Sequence, residues 1–334
     1  MTIRERQERD EEARLSPYAA LSSRSAGRAH PFSTCDLRTC YQRDRDRIIH
    51  CKSFRRLKYK TQVFLTPMGD HYRTRLTHTL EVSQVARTLA RSLRLNEDLT
   101  EAAALGHDLG HTPFGHIGES TLNRLLPGGF RHNEQSLRVA ERLENDGAGL
   151  NLCRETLDGI LNHSGQNEPK TLEGWCVRRA DRIAYINHDI DDAIRGGILK
   201  PFELPRRCLS VLGETHGERI DTMIRDIVTT SMDQPFVRMS EEVRQASEEL
   251  RAFLFEYVYH DEWRKKEEAR CDYILSALYE HYLAHPEQLP AEYLEINFTE
   301  GAERAVCDFI ACMTDRYAID QFSEIFVPGA FGRR

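Results

Sequence analysis

Apolar residues recur along most of this chain at the three- and four-residue spacing of amphipathic helices. The segment 76–93, for example, places His78, Val82, Val85 and Leu89 on one face. The same period continues to the C-terminal region, without an internal repeat or a low-complexity linker. The pattern therefore predicts an all-α fold with at most a small β-hairpin.

Capping and breaking residues set the expected helix ends. We predict a helix that is capped by Asn96 or Asp98 and runs to about Gly110, and a later helix with Asn133 as its cap. The helix with Asn133 as its cap spans residues 131–144. Other helices are predicted at 116–126, 152–163 and 171–194, and several more after 201. The best strand candidate is TQVFL, residues 61–65, followed by a turn-rich stretch that could close a hairpin.

The 334 residues are enough for one large domain or a domain with an elaborated end. We divide the chain into three parts. Residues 1–25 form a charged segment that we expect to be mobile or partner-dependent. Residues 26–200 form the core, which holds the candidate chemistry, and residues 201–334 form a helical extension that packs on it.

Charge and cysteine usage narrow the class of protein. The 46 basic and 53 acidic residues give a net charge of −7, which argues against a general nucleic-acid binder. One basic strip, Lys52 to Lys60, is typical of an exposed helix face or of a site for an anion. The nine scattered cysteines contain no CxxC pair, and the N-terminal segment lacks the apolar stretch of a secretion signal. We therefore expect a cytoplasmic protein with reduced thiols.

Histidine and aspartate are adjacent at three places, so the pair alone is weak evidence. The pairs are His107-Asp108, His188-Asp189 and His260-Asp261. The last pair lies in a charged stretch and is given no role. His107 and Asp108, in contrast, follow the apolar run AAALG, where buried polar groups cost free energy unless they are satisfied. Gly106 and Gly110 would leave room for an ion over the helix end.

Two further candidates would complete a metal site with His107 and Asp108. His78 lies on the apolar face of its helix, and Asp181 lies near the core boundary of the long helix. Imidazole and carboxylate groups that converge from separate helices are typical metal ligands. Asp181, Tyr185 and Asp189 recur at helical spacing, and such acidic runs are also common as solvated stripes.

Five blocks of this sequence together resemble one family. They are RTRLTHTLEV, GHDLGHTPFGHIGE, RHNEQSLRV, ADRIAYINHDIDDA and MTDRYA, which span roughly residues 40 to 325 with their surroundings. The chain is similar to the deoxyguanosinetriphosphate triphosphohydrolase branch of the HD-domain phosphohydrolases. The resemblance implies an HD-domain helical fold with extra C-terminal helices. It also implies metal ligands at His78, His107, Asp108 and Asp181.

The resemblance further implies hydrolysis of deoxynucleoside triphosphates at the α-phosphorus, which releases the deoxynucleoside and tripolyphosphate. His116 matches the family's catalytic histidine, and Glu119 matches the carboxylate that orients it. Carried onto this chain, the implied substrate contacts are Arg75 with phosphate, Gln62 and Asp189 with the sugar 3′-hydroxyl, and Tyr185 with the deoxyribose. His111 and Lys58 are additional candidates for phosphate contacts.

The cofactor expected from this reading is a divalent ion: Mn, Mg, Fe, Co, Ni or Zn. The family resemblance implies a homo-oligomer and allows a nucleotide effector at a subunit interface. Two alternatives stay open at this point. One is another HD phosphohydrolase, such as a nucleotidase. The other is a non-catalytic protein that binds nucleotides or single-stranded nucleic acid.

Overall fold

The computed structural model describes residues 1–62, 73–257 and 262–328, and most of these residues are helical. The α-helices, in chain order from α1 to α16, are Ile3–Arg14, Cys40–His50, Lys52–Arg56, Arg75–Ser92, Glu97–Gly106, His116–Leu125, His132–Arg138, Arg154–Asn162, Leu172–Arg195, Arg206–Leu212, His216–Ser231, Glu241–Tyr257, Glu262–Ala284, Ala291–Glu300, Ala302–Cys312 and Asp315–Phe326. The all-α prediction is confirmed.

Side-chain caps mark the start of several helices. The side chain of Thr74 accepts a hydrogen bond from the Thr77 amide at the start of α4, and Thr171 caps α9 in the same way. The predicted cap at Asn96 is confirmed, because its side chain accepts a hydrogen bond from the Leu99 amide.

Two predicted boundaries are wrong. Helix α5 ends at Gly106 rather than near Gly110, because the His107 ring occupies the Ala104 carbonyl that would continue the helix. Asn133 does not cap α7, which begins one residue earlier without a side-chain cap. Its amide instead donates a hydrogen bond to the Leu161 carbonyl.

The candidate strand lies only partly within the described residues. Thr61 pairs with Thr74 in an isolated antiparallel bridge, while residues 63–65 lie outside the described ranges, as do residues 260 and 261 of the third histidine–aspartate pair. Within the described ranges, two isolated bridges are the extent of β-structure.

Three apolar clusters hold the helices together. The largest joins α4, α9, α11 and α12 through residues such as Val82, Ile183, Ile227 and Leu250. A second packs α6 against α13, α15 and α16, and a third joins α2, α5 and α8. Each fully buried Leu or Ile contributes roughly 1.5–3 kcal/mol. The candidate ligands lie on α4, on α9 and in the turn directly after α5. The apolar clusters that pack these three helices therefore position the ligands.

The N-terminal charged segment contains helix α1, which has a reciprocal capping box between Thr2 and Glu5. None of its residues is buried. Backbone and side-chain hydrogen bonds connect this region to the rest, including those from Ser16 N to the Arg94 carbonyl and from Ser25 Oγ to the Glu155 carboxylate.

Seven of the nine cysteines are buried, and all nine are free thiols. Among the described residues, no helix has both the length and the apolar character that crossing a membrane requires.

Candidate active site

Most of the predicted site residues face one cavity of about 440 Å³. The cavity lies where α4, α6, α7, α9 and α12 meet the turn that follows α5. Its walls are formed by Gln62, Arg75, His78, Asp108, His111, His116, His132, His163, Ser164, Asp181, Tyr185, Asp189, Arg251, Phe255 and Glu268. Histidine and aspartate side chains make up about half of this lining, which also includes two arginines and two aromatic rings.

The four candidate metal ligands lie close together, and His78, Asp108 and Asp181 also line the cavity. Nε2 of His78 is 3.1 Å from Oδ1 of Asp181. Nε2 of His107 is 3.6 Å from Oδ1 of Asp108 and 3.8 Å from Oδ1 of Asp181. His78, His107 and Asp108 each offer a donor atom within 4.8 Å of the others. Helices α4 and α9 thus supply one group each to a common point, and the turn after α5 supplies two.

A hydrogen bond fixes the His107 ring so that its other nitrogen can bind a cation. The His107 ring donates from Nδ1 to the Ala104 carbonyl, which leaves Nε2 as a lone-pair donor facing the other ligands. That Nε2 is buried and has no hydrogen-bond partner in the described part of the chain. Metal-ligating histidines usually have their second nitrogen fixed in this way. The donor set fits a divalent ion such as Mn²⁺, Fe²⁺, Co²⁺ or Zn²⁺.

The aspartates at the site are held in their charged form. Burial alone would raise the pKa of Asp108, but His107 and Arg75 lower it well below its usual range. Arg75 donates a hydrogen bond of 2.8 Å to Oδ2 of Asp108. For Asp181, burial also acts upward, and the hydrogen bond with His78 lowers the pKa below its usual value. Two ionised carboxylates at one buried point favour the binding of a cation.

Gly106 and Gly110, beside the histidine–aspartate pair, do not leave room for an ion as predicted. A Cβ at Gly110 would lie 2.1 Å from the backbone nitrogen of Ser136 on α7, and a Cβ at Gly106 would lie 2.5 Å from Ile160 on α8. The space is therefore filled by neighbouring helices and not by an approaching ion. The glycines allow α7 and α8 to pack closely on the turn.

His116 and Glu119 lie at the start of α6, and the side chain of His116 is 65% exposed at the cavity edge. Nδ1 of His116 is 3.7 Å from Glu119, whose carboxylate also accepts hydrogen bonds from the backbone and Nδ1 of His132. Burial alone would raise the pKa of Glu119, but hydrogen bonds from His116 and His132 lower it. Glu119 therefore contacts both histidines, and its shorter bond is to His132.

Gln62, Tyr185, Asp189 and His111 all line the cavity, and their contacts with a nucleotide stay predictions. Tyr185 is half-buried on α9, and burial raises its pKa to about 12. Burial and the nearby Arg75 lower the pKa of His111 well below its usual value.

Lys58 requires a correction. It is exposed, its Nζ lies over the Tyr59 ring, and it is not among the residues that line the cavity. The short turn at 57–59 directs Leu57 into the core and Lys58 outward. The buried lysine of this strip is Lys60, which donates hydrogen bonds to the carbonyls of His111 and Ala311.

Sequence reasoning gave no role to His163. Tertiary packing brings it into the cavity, where it lies beside His132. His163 follows the last residue of α8, and its Nδ1 donates to the Ile160 carbonyl at 2.7 Å. Burial and neighbouring histidines lower its pKa to about 3. The spacing of the segment NHS offers no periodic signal for such a position.

Arg251 and Phe255 were also missed. They come from α12, about 70 residues after Asp181 in the sequence, and bring a guanidinium and an aromatic ring to the cavity. A basic residue in an amphipathic helix is ordinarily read as solvated, so only the packing of α12 against α9 shows this role.

Comparisons with known proteins agree with this geometry. Residues 75–186 match the HD domain, and residues 237–324 match the phosphohydrolase-associated domain. Three similar relatives are each named a deoxyguanosinetriphosphate triphosphohydrolase-like protein. The relative from Caldanaerobacter subterraneus is 59% identical, covering 98% of this chain and 97% of its own. That from Clostridium perfringens strain 13 is 51% identical, covering 98% of each chain, and that from Desulfatibacillum aliphaticivorans is 49% identical, covering 98% and 99%.

Proposed function

Because the chain belongs to the deoxyguanosinetriphosphate triphosphohydrolase-like family, we propose that it hydrolyses deoxynucleoside triphosphates such as dGTP to a deoxynucleoside and tripolyphosphate. At the coarser level, its HD domain and its relatives make it a nucleotide phosphohydrolase. The observation that carries the finer proposal is the convergence of His78, His107, Asp108 and Asp181 at one end of a nucleotide-sized cavity.

The four convergent side chains would hold a divalent ion. When bound there, such an ion would acidify water and neutralise charge on phosphate oxygens. The orphaned Nε2 of His107 and the two ionised carboxylates support this assignment. Which ion is used stays open, because these ligand types suit several metals.

Charged side chains around the ligands suit a triphosphate. Arg75 and Arg251 face the cavity and can bind phosphate oxygens, Arg75 through the part of its guanidinium that Asp108 leaves free. Nε of Arg75 is buried and has no hydrogen-bond partner in the ranges that the structure describes. Because a buried guanidinium donor without a partner costs free energy, an anion bound there would lower that cost.

The residues that would carry out proton transfer are Glu119 and the histidines beside it. His116 is exposed to the cavity and lies within 3.7 Å of Glu119, so its ring can exchange a proton with the leaving 5′-oxygen or with water. The carboxylate of Glu119 lies against both histidines, and its hydrogen bond with His132 favours the charged form of that ring.

The other end of the cavity suits a deoxyribose and a base. Tyr185 lies one helical turn from both Asp181 and Asp189 on α9, so its ring stands beside the place where the sugar would follow the phosphates. A ring packed at C2′ would exclude a ribose 2′-hydroxyl. Gln62 and Asp189 are available for the 3′-hydroxyl.

The test is to incubate the purified protein with each dNTP and with dGMP, in the presence of Mn²⁺, Mg²⁺, Co²⁺ or Zn²⁺, and to separate the phosphorus products by ion chromatography. The proposal predicts tripolyphosphate and deoxynucleoside in equal amounts. Release of orthophosphate from dGMP alone would instead support a nucleotidase. Binding without any turnover would support the non-catalytic alternative.

A further inference from the structure

His116 depends on its backbone for its position at the cavity edge. Its side chain is 65% exposed, and within the described ranges its ring lies 5.7 Å from the His111 ring, between centroids, and 3.7 Å from Glu119. Packing does not hold an exposed ring with so few neighbours in one place. The segment that leads into helix α6, residues 112–115, therefore sets where the ring meets the cavity.

The backbone of this segment has an uncommon conformation. Phe114 and Gly115 both have positive φ, at 59° and 61°, and ψ of Gly115 is −133°. Positive φ is rare for a bulky residue such as phenylalanine, and the combination at Gly115 is one that glycine adopts far more readily than other residues. Such a conformation persists only where the surrounding structure holds it.

Three contacts hold the segment. The Thr112 hydroxyl donates a hydrogen bond of 2.9 Å to the Gly115 carbonyl, and the Phe114 amide donates one of 2.9 Å to the Asp315 carboxylate. The Phe114 ring packs in the apolar cluster that contains Leu122. Thr112 is fully buried, and a hydrogen bond that is shielded from water is stronger than one on the surface.

Helix α6 begins at this closed turn. The Gly115 carbonyl, which accepts from Thr112, also accepts a hydrogen bond of 3.2 Å from the Glu119 amide. A Cβ at Gly118 would lie only 2.7 Å from Oγ1 of Thr112, so the helix packs directly against the threonine. Thr112 thereby fixes the first turn of α6, the turn that carries both His116 and Glu119.

We propose that Thr112 is a positioning residue, whose hydrogen bond to Gly115 holds the first turn of α6 where His116 can reach the α-phosphate. The inference rests on the proposed function for the role of His116. Thr112 is not among the residues that line the cavity, so it acts through His116 and not by contact with the substrate. Its loss should slow the chemical step and spare metal and phosphate binding, because the metal ligands and Arg75 lie on other segments.

The first experiment compares Thr112→Val, which keeps the shape but loses the hydroxyl, with Thr112→Ser, which keeps the hydroxyl. A displacement of about 1 Å can cost about 10²-fold in rate, so kcat for dGTP should fall about 10- to 100-fold in Thr112→Val. KM and bound metal should not change, and Thr112→Ser should have nearly the wild-type kcat. Wild-type kcat in Thr112→Val, or an equal loss in Thr112→Ser, would overturn the proposal. Circular dichroism checks folding, and Thr112→Ala replaces Thr112→Val if the latter does not fold.

Thr121→Val, on the same helix, is the matched control. Thr121 is also buried, and its hydroxyl donates a hydrogen bond of 2.9 Å to the Ile117 carbonyl and lies 2.7 Å from Asp272. Removing this hydroxyl should lower the unfolding temperature and leave kcat near the wild-type value. An equal fall of kcat in the two valine variants would show that Thr112 is only structural.

A double-mutant cycle tests whether Thr112 acts through His116. In the His116→Ala background, adding Thr112→Val should lower the remaining rate by less than about twofold, because the side chain through which Thr112 acts is absent. The same loss in that background as in the wild-type background would contradict the positioning role.

The two proposals can fail separately. Amide hydrogen exchange of residues 114–120 needs no substrate, and it should be faster in Thr112→Val than in wild type or Thr112→Ser. If the protein releases no tripolyphosphate from any dNTP, the proposed function is wrong, and the exchange rates still decide whether Thr112 holds this turn. If tripolyphosphate is released and Thr112→Val keeps the wild-type kcat, the positioning role is wrong and the proposed function stands.

Discussion

The carboxylate of Asp108 contacts both an arginine and a histidine of the site. Arg75 binds one of its oxygens, and His107 faces the other. Its charge therefore stabilises a buried arginine as well as any cation that is bound. A substitution at this position removes a ligand and also leaves the Arg75 guanidinium without its ion-pair partner in the cavity.

We predict that Asp108→Ala loses turnover and metal together. The remaining histidines and Asp181 would still lie close together, but the anchor of both Arg75 and the ion would be gone. Leaving a buried charge unpaired costs about 3–5 kcal/mol, so the variant should also be less stable. Metal analysis, dGTP turnover and urea unfolding check these three effects. Asp108→Asn, which keeps the shape, separates lost charge from lost packing. Full metal content in Asp108→Ala would contradict the assignment.

His116→Ala is expected to behave differently. Its side chain is exposed, so the fold should be unaffected, and the ion at the four-ligand site should remain. Loss of a general acid or base typically lowers the rate by about 10²–10⁴-fold. The kcat for dGTP and the metal content of the same sample are the measurements. A variant that loses the ion as well would show that His116 has been given the wrong role.

At this scale, sequence reasoning located residues whose position follows from helix periodicity or motif order. His78, Asp181 and Tyr185 are of this kind. His163 and Arg251 were not found, because a histidine in a turn and an arginine on an amphipathic helix acquire their surroundings only through packing. Lys58 was placed wrongly because a run of basic residues does not show which of them a short turn directs inward.

At the scale of helices and loops, Asp315 is the residue that ties the C-terminal helices to the site. Its carboxylate accepts hydrogen bonds of 2.9 Å from the amides of Thr61 and Phe114. Thr61 precedes Gln62, and Phe114 lies two residues before His116. Helix α16 therefore fixes two loops that carry predicted substrate and catalytic groups.

We predict that Asp315→Asn weakens both the fold and the reaction. The side-chain NH₂ of the new asparagine would then face the backbone N–H of Thr61 or of Phe114. An unsatisfied buried donor of this kind costs about 1–3 kcal/mol. The free energy of unfolding should fall by that amount, and kcat/KM for dGTP should fall with it. Asp320→Asn, at an exposed aspartate of the same helix, is the control. Equal behaviour of the two variants would remove Asp315 from the account.

Glu173 on α9 predicts a pH effect on stability. It is fully buried, and its Oε1 accepts hydrogen bonds from the amides of Ala20 and Asn96. Burial raises its pKa from 4.5 to about 7. Between these values the folded state binds more protons than the unfolded state, so this group's contribution is complete below about pH 4.5 and is lost as the pH rises to 7.

Glu173→Gln should therefore gain stability relative to wild type as the pH rises from 4.5 to 7, by about 3 kcal/mol over the window. Chemical unfolding at several pH values measures the difference. Glu295→Gln, at an exposed position on α14, controls for the loss of a carboxylate. A difference between Glu173→Gln and wild type that does not change with pH would show that Glu173 titrates normally in the folded protein.

Helix positions were largely predictable because periodicity and caps act locally, as at Asn96 and Thr171. The two wrong boundaries have a common cause. At His107 and at Asn133, a side chain uses its hydrogen-bonding capacity for a distant or competing backbone carbonyl. The bond from Asn133 forms only after the tertiary structure brings Leu161 close, and the bond from His107 to the nearby Ala104 carbonyl depends on a ring orientation that helical periodicity does not show.

For the whole molecule, the HD region and the phosphohydrolase-associated region build the site jointly. Helices α4 and α9 supply the proposed metal ligands, while α12 supplies Arg251 and Phe255 to the same cavity. Lys60 also connects the two regions. Its Nζ donates hydrogen bonds to the carbonyl of His111 in the HD region and to the carbonyl of Ala311 in the phosphohydrolase-associated region. The oligomeric state and the nucleotide effector expected from the family remain predictions.

Hydrolysis of dGTP in ¹⁸O-labelled water, followed by mass spectrometry of both products, tests the proposed reaction most directly. Attack of water at the α-phosphorus breaks the bond to the 5′-oxygen, so we predict tripolyphosphate that carries one ¹⁸O atom and deoxyguanosine that carries none. Pyrophosphate or orthophosphate as the labelled product, or label in the nucleoside, would contradict the assignment of this site.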